Sequence, residues 1–151
     1  MNNYNIITYS NKLLMNDQIV KFITNIILNE YEQPKVKRKD LENLNFYETK
    51  NSRLYLLINN RKIMGTIGVF IKNNIATIKR FYLKKSIRSK GYGKLLYKKV
   101  IDFIKESQVK TVELNCDSKK MRKAYSFYLK NGFKVVNMRE DRYVTMRLNL
   151  S

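Results

Sequence analysis

The hydrophobic positions along the chain change their spacing several times, and this spacing predicts alternating strands and helices. Apolar residues recur at helical intervals in the longer segments, so that they would share one face of a helix. Short segments rich in β-branched and aromatic residues lie between them and predict strands. The predicted helices are 13–28, 40–46, 91–107 and 121–130, and the predicted strands are 4–8, 53–58, 62–71, 75–83, 111–116, 133–136 and 143–150.

Short turn sequences connect three of these strands directly. Residues 59–61 (NNR) and 73–74 (NN) separate consecutive strands, which predicts an antiparallel meander. The strand–helix–strand segments that follow predict parallel pairing as well, with helices packed on the sheet. The predicted fold class is therefore α/β, of the α+β kind, with a mixed, mostly antiparallel sheet of about six or seven strands and about four helices.

Length and composition indicate one domain over residues 1–151. A hydrophobic content of 44% is enough for a core, and the sequence shows no repeat and no Gly/Ser linker. Pro34 lies in a charged stretch that predicts a loop between two elements. No segment is apolar enough to span a membrane and the first residues lack the features of a signal peptide, so we expect a cytoplasmic protein without a membrane partner.

The sequence restricts the chemistry that is available. It contains no histidine and one cysteine, Cys116. Histidine is the commonest metal ligand and the commonest general base, so we expect no metal site and no histidine base. Cys116 cannot form an internal disulfide and has no histidine to activate it, so it is expected to be a strand residue and not a covalent nucleophile.

Positive charge is distributed unevenly along the chain. The net charge is +19, but residues 1–50 hold seven basic and six acidic residues, which leaves 24 basic and six acidic residues for 51–151. Such a field can attract a polyanion, although a composition rich in lysine, asparagine and isoleucine also explains the total without any partner. A basic nucleic-acid-binding module is therefore one alternative, but no helix-turn-helix, zinc-finger or RNA-recognition motif is found.

The segment RSKGYGKLL, residues 88–96, combines two glycines, three basic residues and the start of a predicted helix. Glycine lets backbone N–H groups approach a ligand, and a helix start leaves N–H groups unbonded and carries partial positive charge. The segment therefore predicts a site for a phosphate or pyrophosphate, and an ordinary strand-to-helix turn is the alternative. It does not match the nucleotide-hydrolase loop or the dinucleotide fingerprint.

Two segments resemble the GNAT superfamily of N-acetyltransferases. Residues 82–105 (YLKKSIRSKGYGKLLYKKVIDFIK) resemble its acetyl-coenzyme A segment, R/Q-x-x-G-x-G/A followed by a long amphipathic helix, and residues 124–134 (AYSFYLKNGFK) resemble its A-x-x-F/L-Y-x-x-x-G-F segment. The resemblance covers about residues 52–150, the acetyl-coenzyme A core. Residues 1–50 match only in element order, as expected of the part that shapes the acceptor site.

The resemblance implies a GNAT fold and a direct transfer of acetyl from acetyl-coenzyme A to a primary amine, without a metal. The acceptor is a small molecule or a protein, and homodimers are common in the family. A GNAT fold that binds coenzyme A without catalysis is a further alternative.

Family roles fall on particular residues of this sequence. The strand before the loop pairs with the pantetheine arm, and the residues here are Phe81, Tyr82 and Leu83. A backbone N–H near Leu83 would act as an oxyanion donor. The pyrophosphate role falls on Arg88, Ser89, Lys90, Gly91, Tyr92, Gly93 and Lys94.

In the second segment, Tyr128 matches the tyrosine that protonates the coenzyme A thiolate, and packing is the alternative role. Ala124 is expected to be small so that acetyl-coenzyme A can pass.

The sequence departs from the family pattern at two positions. Met121 stands where an asparagine is frequent, so Asn115 or Ser118 is the candidate for the missing polar contact with the cofactor. Thr77 stands where one group of the family has a glutamate base. Glu113 on the next strand is the candidate base, with a solvent-facing residue as the alternative.

Charged residues on the expected acceptor side have two alternative roles each. Arg80 lies in a strand that is otherwise suited to burial, so it either faces the acceptor and binds a carboxylate, as in an amino acid, or points outward. The first fifty residues also hold acidic side chains that would attract a cationic amine or form a solvated loop. These residues are Glu30, Glu32, Asp40, Glu42 and Glu48.

Overall fold

A seven-stranded sheet organises the fold, with the strand order β1-β2-β3-β4-β5-β7-β6. The structure is a computed structural model, and it describes residues 3–31 and 38–151. The strands are β1 (Tyr4–Thr8), β2 (Ser52–Asn59), β3 (Lys62–Lys72), β4 (Ile75–Leu83), β5 (Thr111–Asp117), β6 (Lys134–Arg139) and β7 (Tyr143–Asn149). The helices of the described residues are α1 (Asn16–Asn29), α2 (Lys39–Glu42), α3 (Tyr92–Glu106) and α4 (Arg122–Lys130).

All neighbouring strands pair antiparallel except β4 and β5, which are parallel. The predicted fold class, a mixed and mostly antiparallel sheet with four helices, is therefore confirmed. Within the described residues, no helix is long and apolar enough to cross a membrane.

Helices cover both faces of β2. The side chains of Leu54 and Leu56 point to the face on which α1 packs, and those of Tyr55 and Leu57 point to the face on which α3 packs. The buried residues of these helices are Ile19, Ile23, Ile26 and Ile27 on α1 and Leu96, Val100, Phe103 and Ile104 on α3. Their spacing of three and four residues forms one apolar stripe on each helix. Each such side chain contributes about 1.5–3 kcal/mol by burial.

Two predicted helices differ from the observed elements by more than one residue, because local capping interrupts the apolar pattern. Helix α1 begins at Asn16 and not at residue 13, since Ser10 caps a short 3-10 turn at Asn11–Leu13 and Leu14 then adopts a left-handed φ of 56°. The predicted helix 40–46 is divided at the extended residue Asn43, whose side-chain oxygen accepts a hydrogen bond from the Asn45 N–H at 3.0 Å. The loop predicted around Pro34 lies outside the described residues.

A bulge interrupts β4 near its C-terminal end. Opposite β3, Thr66 pairs with Tyr82 and Gly68 pairs with Lys79, so both Arg80 and Phe81 lie opposite one residue. Arg80 has a φ of 57°, a left-handed conformation that costs energy in a non-glycine residue. The Thr66 hydroxyl donates a hydrogen bond to the Arg80 carbonyl oxygen at 2.7 Å and stabilises this conformation. Bulges of this kind redirect a strand and its side chains.

Candidate active site

The candidate site surrounds a gap between β4 and β5. The two strands pair only as far as Thr77 and Glu113, although β4 continues to Leu83 and β5 continues to Asp117. Beyond the paired residues the parallel strands diverge. The facing strand edges therefore border a gap in which a ligand can reach the backbone of β4.

One cavity, which we call the glycine-loop cleft, opens on the side of α3 and α4. Its volume is about 380 Å³. It is bordered by the end of β4, by the loop that precedes α3 and by one side of α4. The lining residues are Tyr31, Phe81, Tyr82, Leu83, Arg88, Ser89, Gly91, Gly93, Lys94, Lys123, Ala124 and Phe127. Most of the residues predicted to bind acetyl-coenzyme A are therefore brought together. Lys123 is an additional basic residue that the sequence analysis missed.

A second cavity of about 390 Å³, which we call the sheet-face cavity, lies on the opposite face of the sheet. Ala76 and Ile78 point into the core around α3, so the alternating residues Thr77 and Lys79 point to this other face. The wall of the cavity combines residues from β4, β5, β6 and β7. Asn115 and Thr145 supply polar groups, and the Thr145 hydroxyl donates a hydrogen bond to the Asn115 side-chain oxygen at 2.8 Å.

A small cavity of about 80 Å³, which we call the passage, lies at the gap between the strands and shares lining residues with both of these spaces. It shares Phe81 and Ala124 with the glycine-loop cleft and Lys79 and Asn115 with the sheet-face cavity. Two ligands that enter from opposite faces of the sheet can therefore meet between β4 and β5.

The glycine loop places the start of α3 at the cleft. Gly91 caps the helix with a φ of 94°, and no side chain caps the first N–H groups. A Cβ atom at Gly91 would have no atom within 4 Å, so a side chain would not clash there. Glycine is favoured at this position because of the positive φ. A Cβ atom at Gly93 would lie 3.5 Å from Leu83 Cδ1 and 3.6 Å from Phe81 Cζ. A larger side chain at residue 93 would therefore enter the cleft.

The backbone of Leu83 is oriented towards the gap. The Lys84 N–H donates to the Met64 carbonyl oxygen at 2.8 Å, and Leu83 lies opposite Gly65. Hydrogen-bonded and non-hydrogen-bonded pairs alternate in an antiparallel ladder, so the N–H and C=O of Leu83 point away from β3. The Arg88 guanidinium donates to this Leu83 carbonyl oxygen from Nε at 3.0 Å and from Nη2 at 2.9 Å.

Tyr128 of α4 lies at the wall of the passage. It is 6% exposed, and its ring packs against Phe81 and Phe133 at centroid distances of 6.3 and 5.5 Å. Burial raises the pKa of the Tyr128 phenol well above its usual value. The phenol therefore keeps its proton and is available as a hydrogen-bond donor. Ala124 lies one helical turn earlier on the same side.

A family model, the acetyltransferase (GNAT) family, matches residues 20–133 of this chain. The chain belongs to the GNAT acetyltransferase family.

Solved structures have the same fold. A GNAT acetyltransferase from Staphylococcus aureus Mu50 has 29% sequence identity and a TM-score of 0.84, covering 98% of this chain and 99% of that chain. The PaiA N-acetyltransferase from Thermoplasma acidophilum, in complex with coenzyme A, has 19% identity and a TM-score of 0.79, covering 97% of this chain and 99% of that chain. The search of curated proteins found no match. The predicted resemblance to GNAT acetyltransferases is thus confirmed.

Some predicted cofactor residues of this GNAT acetyltransferase lie outside the glycine-loop cleft. Lys90 is exposed, and Tyr92 stacks on Tyr4 at a centroid distance of 4.4 Å. Asn115 lines the passage and the sheet-face cavity but not the cleft. The Ser118 hydroxyl donates to the Arg142 carbonyl oxygen at 2.9 Å, so the other candidate for that polar contact has an internal partner.

Arg80 lines the sheet-face cavity, but a carboxylate of the chain itself already binds it. Its Nε and Nη2 donate to the two side-chain oxygens of Asp40, each at 2.8 Å. Asp40 is 3% exposed and also accepts a hydrogen bond from the Tyr47 hydroxyl at 2.6 Å. Burial alone would raise the pKa of Asp40, but the hydrogen bonds from Arg80 and Tyr47 outweigh it and lower this pKa to about 2.

These contacts correct the interpretation of the acidic segment. Asp40 is neither solvated nor free to attract a cationic amine, because it is buried in the pair with Arg80. Glu30 is paired with Arg88 at 2.6 Å. Glu32 lies outside the described residues. A buried arginine needs a partner for its charge, but the local sequence around Arg80 does not identify Asp40 as that partner.

Glu113 is not brought together with the other site residues. Its carboxylate accepts hydrogen bonds from Arg147 Nε at 2.8 Å and Nη2 at 2.5 Å, and it lines none of the three cavities. The role of Glu113 as a base therefore stays a prediction from the sequence alone.

Cys116 is a residue of β5, as predicted, and its side chain is buried in the core. Burial, together with the neighbouring Asp117, raises the pKa of its thiol to about 12, so the reactive thiolate is suppressed. In the part of the chain that the structure describes, no group of three or more acidic or cysteine side chains could hold a metal ion.

Proposed function

We propose that this protein is an acetyl-coenzyme A-dependent N-acetyltransferase that acts on a primary amine by direct attack. The observation that carries this proposal is the passage, which shares lining residues both with a cleft suited to a pyrophosphate and with a cavity on the opposite face of the sheet. A thioester held in the cleft and an amine held in the cavity would meet beside the backbone of Leu83 and the hydroxyl of Tyr128.

The residues of the cleft fit acetyl-coenzyme A. The uncapped N–H groups at the start of α3 would bind the pyrophosphate, and Lys94 and Lys123 add positive charge at the same cleft. Gly93 and Ala124 leave room beside β4, where the exposed strand edge can pair with the amide groups of the pantetheine arm.

The chemistry requires a thioester, which acetyl-coenzyme A supplies as substrate. The amine nitrogen forms a bond to the acetyl carbon, the C–S bond breaks, and coenzyme A leaves as a thiolate. The Leu83 N–H, which points away from β3, would stabilise the negative charge that develops on the carbonyl oxygen. The amine loses one proton and the thiolate gains one, so the products are an N-acetyl amide and free coenzyme A thiol.

Tyr128 would stabilise the leaving thiolate by donating a hydrogen bond. Thiols have a pKa of about 8.5 and phenols of about 10, and burial raises the pKa of Tyr128 further. Complete transfer of the phenolic proton is therefore unfavourable, in contrast to the sequence-based expectation. The proton that finally reaches the thiolate comes from the amine, whose nitrogen becomes acidic once the new bond forms.

No general base is assigned to the chain. The chain contains no histidine, Thr77 has no basic group and Glu113 is held by Arg147. The neutral fraction of the amine would attack, so the rate at subsaturating amine should rise with pH until the amine is deprotonated. For the alternative of a basic nucleic-acid-binding module, the described residues give no comparable supporting observation.

Calorimetric titration with acetyl-coenzyme A, combined with an assay for released thiol, tests this function. We expect wild type to bind acetyl-coenzyme A in the micromolar range and to release thiol only when an amine is present. Gly91→Val should weaken binding, because valine does not tolerate the positive φ of residue 91. No binding by wild type would refute the proposal, and binding without thiol release over an amine panel would leave only a coenzyme A-binding protein.

A further inference from the structure

Two carboxylates beside the sheet-face cavity are each neutralised by an arginine. Asp40 is bound by two donors of Arg80, both at 2.8 Å. Asp117 accepts from Arg142 Nε at 3.1 Å and from Arg142 Nη2 at 2.6 Å. Bidentate pairs of this type hold both charged groups in fixed positions. Neither carboxylate is therefore available to bind a cationic group of a substrate.

Two further basic residues of the cavity have no carboxylate partner among residues 3–31 and 38–151. The Lys79 ammonium lies over the rings of Phe46 and Phe70, at 6.0 and 5.8 Å from their centroids. The Arg139 guanidinium lies over the ring of Tyr143 at 5.8 Å. Both basic residues line the sheet-face cavity, which therefore carries an excess of two positive charges over the paired groups.

The two cations share one cavity. Lys79 and Arg139 both line the sheet-face cavity, and Lys79 also lines the passage. Aromatic residues also line the cavity, namely Phe70, Tyr82 and Tyr143. A ligand with an apolar or aromatic body, a negative group near Arg139 and Lys79 and an amine at the passage matches this arrangement.

We propose that the acceptor is a small amine that also carries an anionic group, a carboxylate or a phosphate, and that Lys79 and Arg139 bind this group. The proposal rests on the acetyltransferase function described above. Acceptors whose only charges are positive, such as polyamines, are disfavoured because they would place like charges beside Lys79 and Arg139.

Matched pairs of amines test the proposal. We would measure kcat/KM for phenylalanine against phenethylamine, for O-phosphoethanolamine against ethanolamine, and for spermidine. The anionic member of at least one pair should be preferred by about tenfold or more, and the pair that shows this preference separates a carboxylate acceptor from a phosphate acceptor. Lys79→Met and Arg139→Gln should each remove most of this preference and leave the Kd of acetyl-coenzyme A unchanged. Lys105→Gln, a change at an exposed lysine of α3, is the matched control and should have no effect.

Binding of non-reactive anions covers the case in which none of these amines reacts. Ligand-observed NMR with 3-phenylpropionate and phenyl phosphate, in the presence of coenzyme A, should show binding to wild type that both variants weaken. Equal reactivity of charged and uncharged amines, a preference that survives both variants, or no binding of either anion would overturn the acceptor proposal. Failure of wild type to bind acetyl-coenzyme A would instead overturn the acetyltransferase function, so the two failures are distinguishable.

Discussion

The guanidinium of Arg88 joins the end of β4 to the end of α1. It donates two hydrogen bonds to the Leu83 carbonyl oxygen, and its Nη2 lies 2.6 Å from the Glu30 carboxylate. The sequence motif assigned Arg88 to the pyrophosphate. The structure gives its side chain two partners within the chain, which fix the peptide group next to the Leu83 N–H.

This contact predicts that Arg88 affects turnover more than cofactor affinity. Arg88→Gln should lower kcat by about tenfold, because a displaced Leu83 N–H no longer faces the acetyl oxygen, and the Kd of acetyl-coenzyme A should change less. Glu30→Gln is the matched control, since it removes the ion pair but leaves both bonds to Leu83. Steady-state kinetics and calorimetry measure the two effects. A large loss of affinity with unchanged kcat would show that Arg88 binds the pyrophosphate directly.

Substitutions at Gly93 and at Gly132 should have different effects. Gly93→Val places methyl groups next to Leu83 and Phe81 in the cleft, so acetyl-coenzyme A binding should fall by about tenfold or more. Gly132→Ala is a useful control, because residue 132 has a positive φ of 91° but lies outside the cleft. It should lower the free energy of unfolding by about 1–2 kcal/mol without changing acetyl-coenzyme A binding. Equal binding by Gly93→Val and wild type would place the pantetheine arm elsewhere.

Tyr128→Phe tests the role assigned to the phenol. The variant keeps the packing of the ring but loses the hydrogen bond to the leaving thiolate, so kcat should fall by about 10- to 100-fold while the Kd of acetyl-coenzyme A stays the same. Tyr125→Phe, on the same helix, should leave kcat unchanged because Tyr125 packs against the core and lines none of the three cavities. Similar kcat values for Tyr128→Phe and wild type would assign Tyr128 a packing role only.

The buried pair of Asp40 and Arg80 predicts a pH dependence of stability. The pKa of Asp40 is lowered from 3.8 to about 2, so the folded state favours the carboxylate. This stabilisation is complete above the unfolded pKa of about 4 and is lost as pH falls through about 2, and its size is about 2 kcal/mol.

Denaturant unfolding of wild type and Asp40→Asn at several pH values measures this stabilisation. The difference between their free energies of unfolding should be constant from pH 7 to pH 5 and should shrink by about 2 kcal/mol towards pH 2. A difference that does not depend on pH would contradict the shifted pKa.

Features that depend on neighbouring residues could be predicted from the sequence, whereas contacts between residues far apart in the chain could not. Strands and helices depend on local periodicity, so they could be predicted from the chain. Short motifs singled out Gly91 and Tyr128, which the structure places at the cleft and at the passage. Arg80 and Asp40 are 40 residues apart, and neither local spacing nor a motif connects them. The left-handed conformation of Arg80 depends on a bulge against β3, a tertiary feature that no propensity of arginine indicates.

In the proposed reaction, an acetyl group is transferred from acetyl-coenzyme A to an amine in the gap between β4 and β5. Mass spectrometry of the products tests this transfer after incubation of wild type with acetyl-coenzyme A and the amine panel, with thiol release followed in parallel. We expect one N-acetylated amine for each thiol released, and strongly reduced yields of both for Gly93→Val and Tyr128→Phe. Thiol release without any acetylated amine, or yields unaffected by both variants, would contradict it.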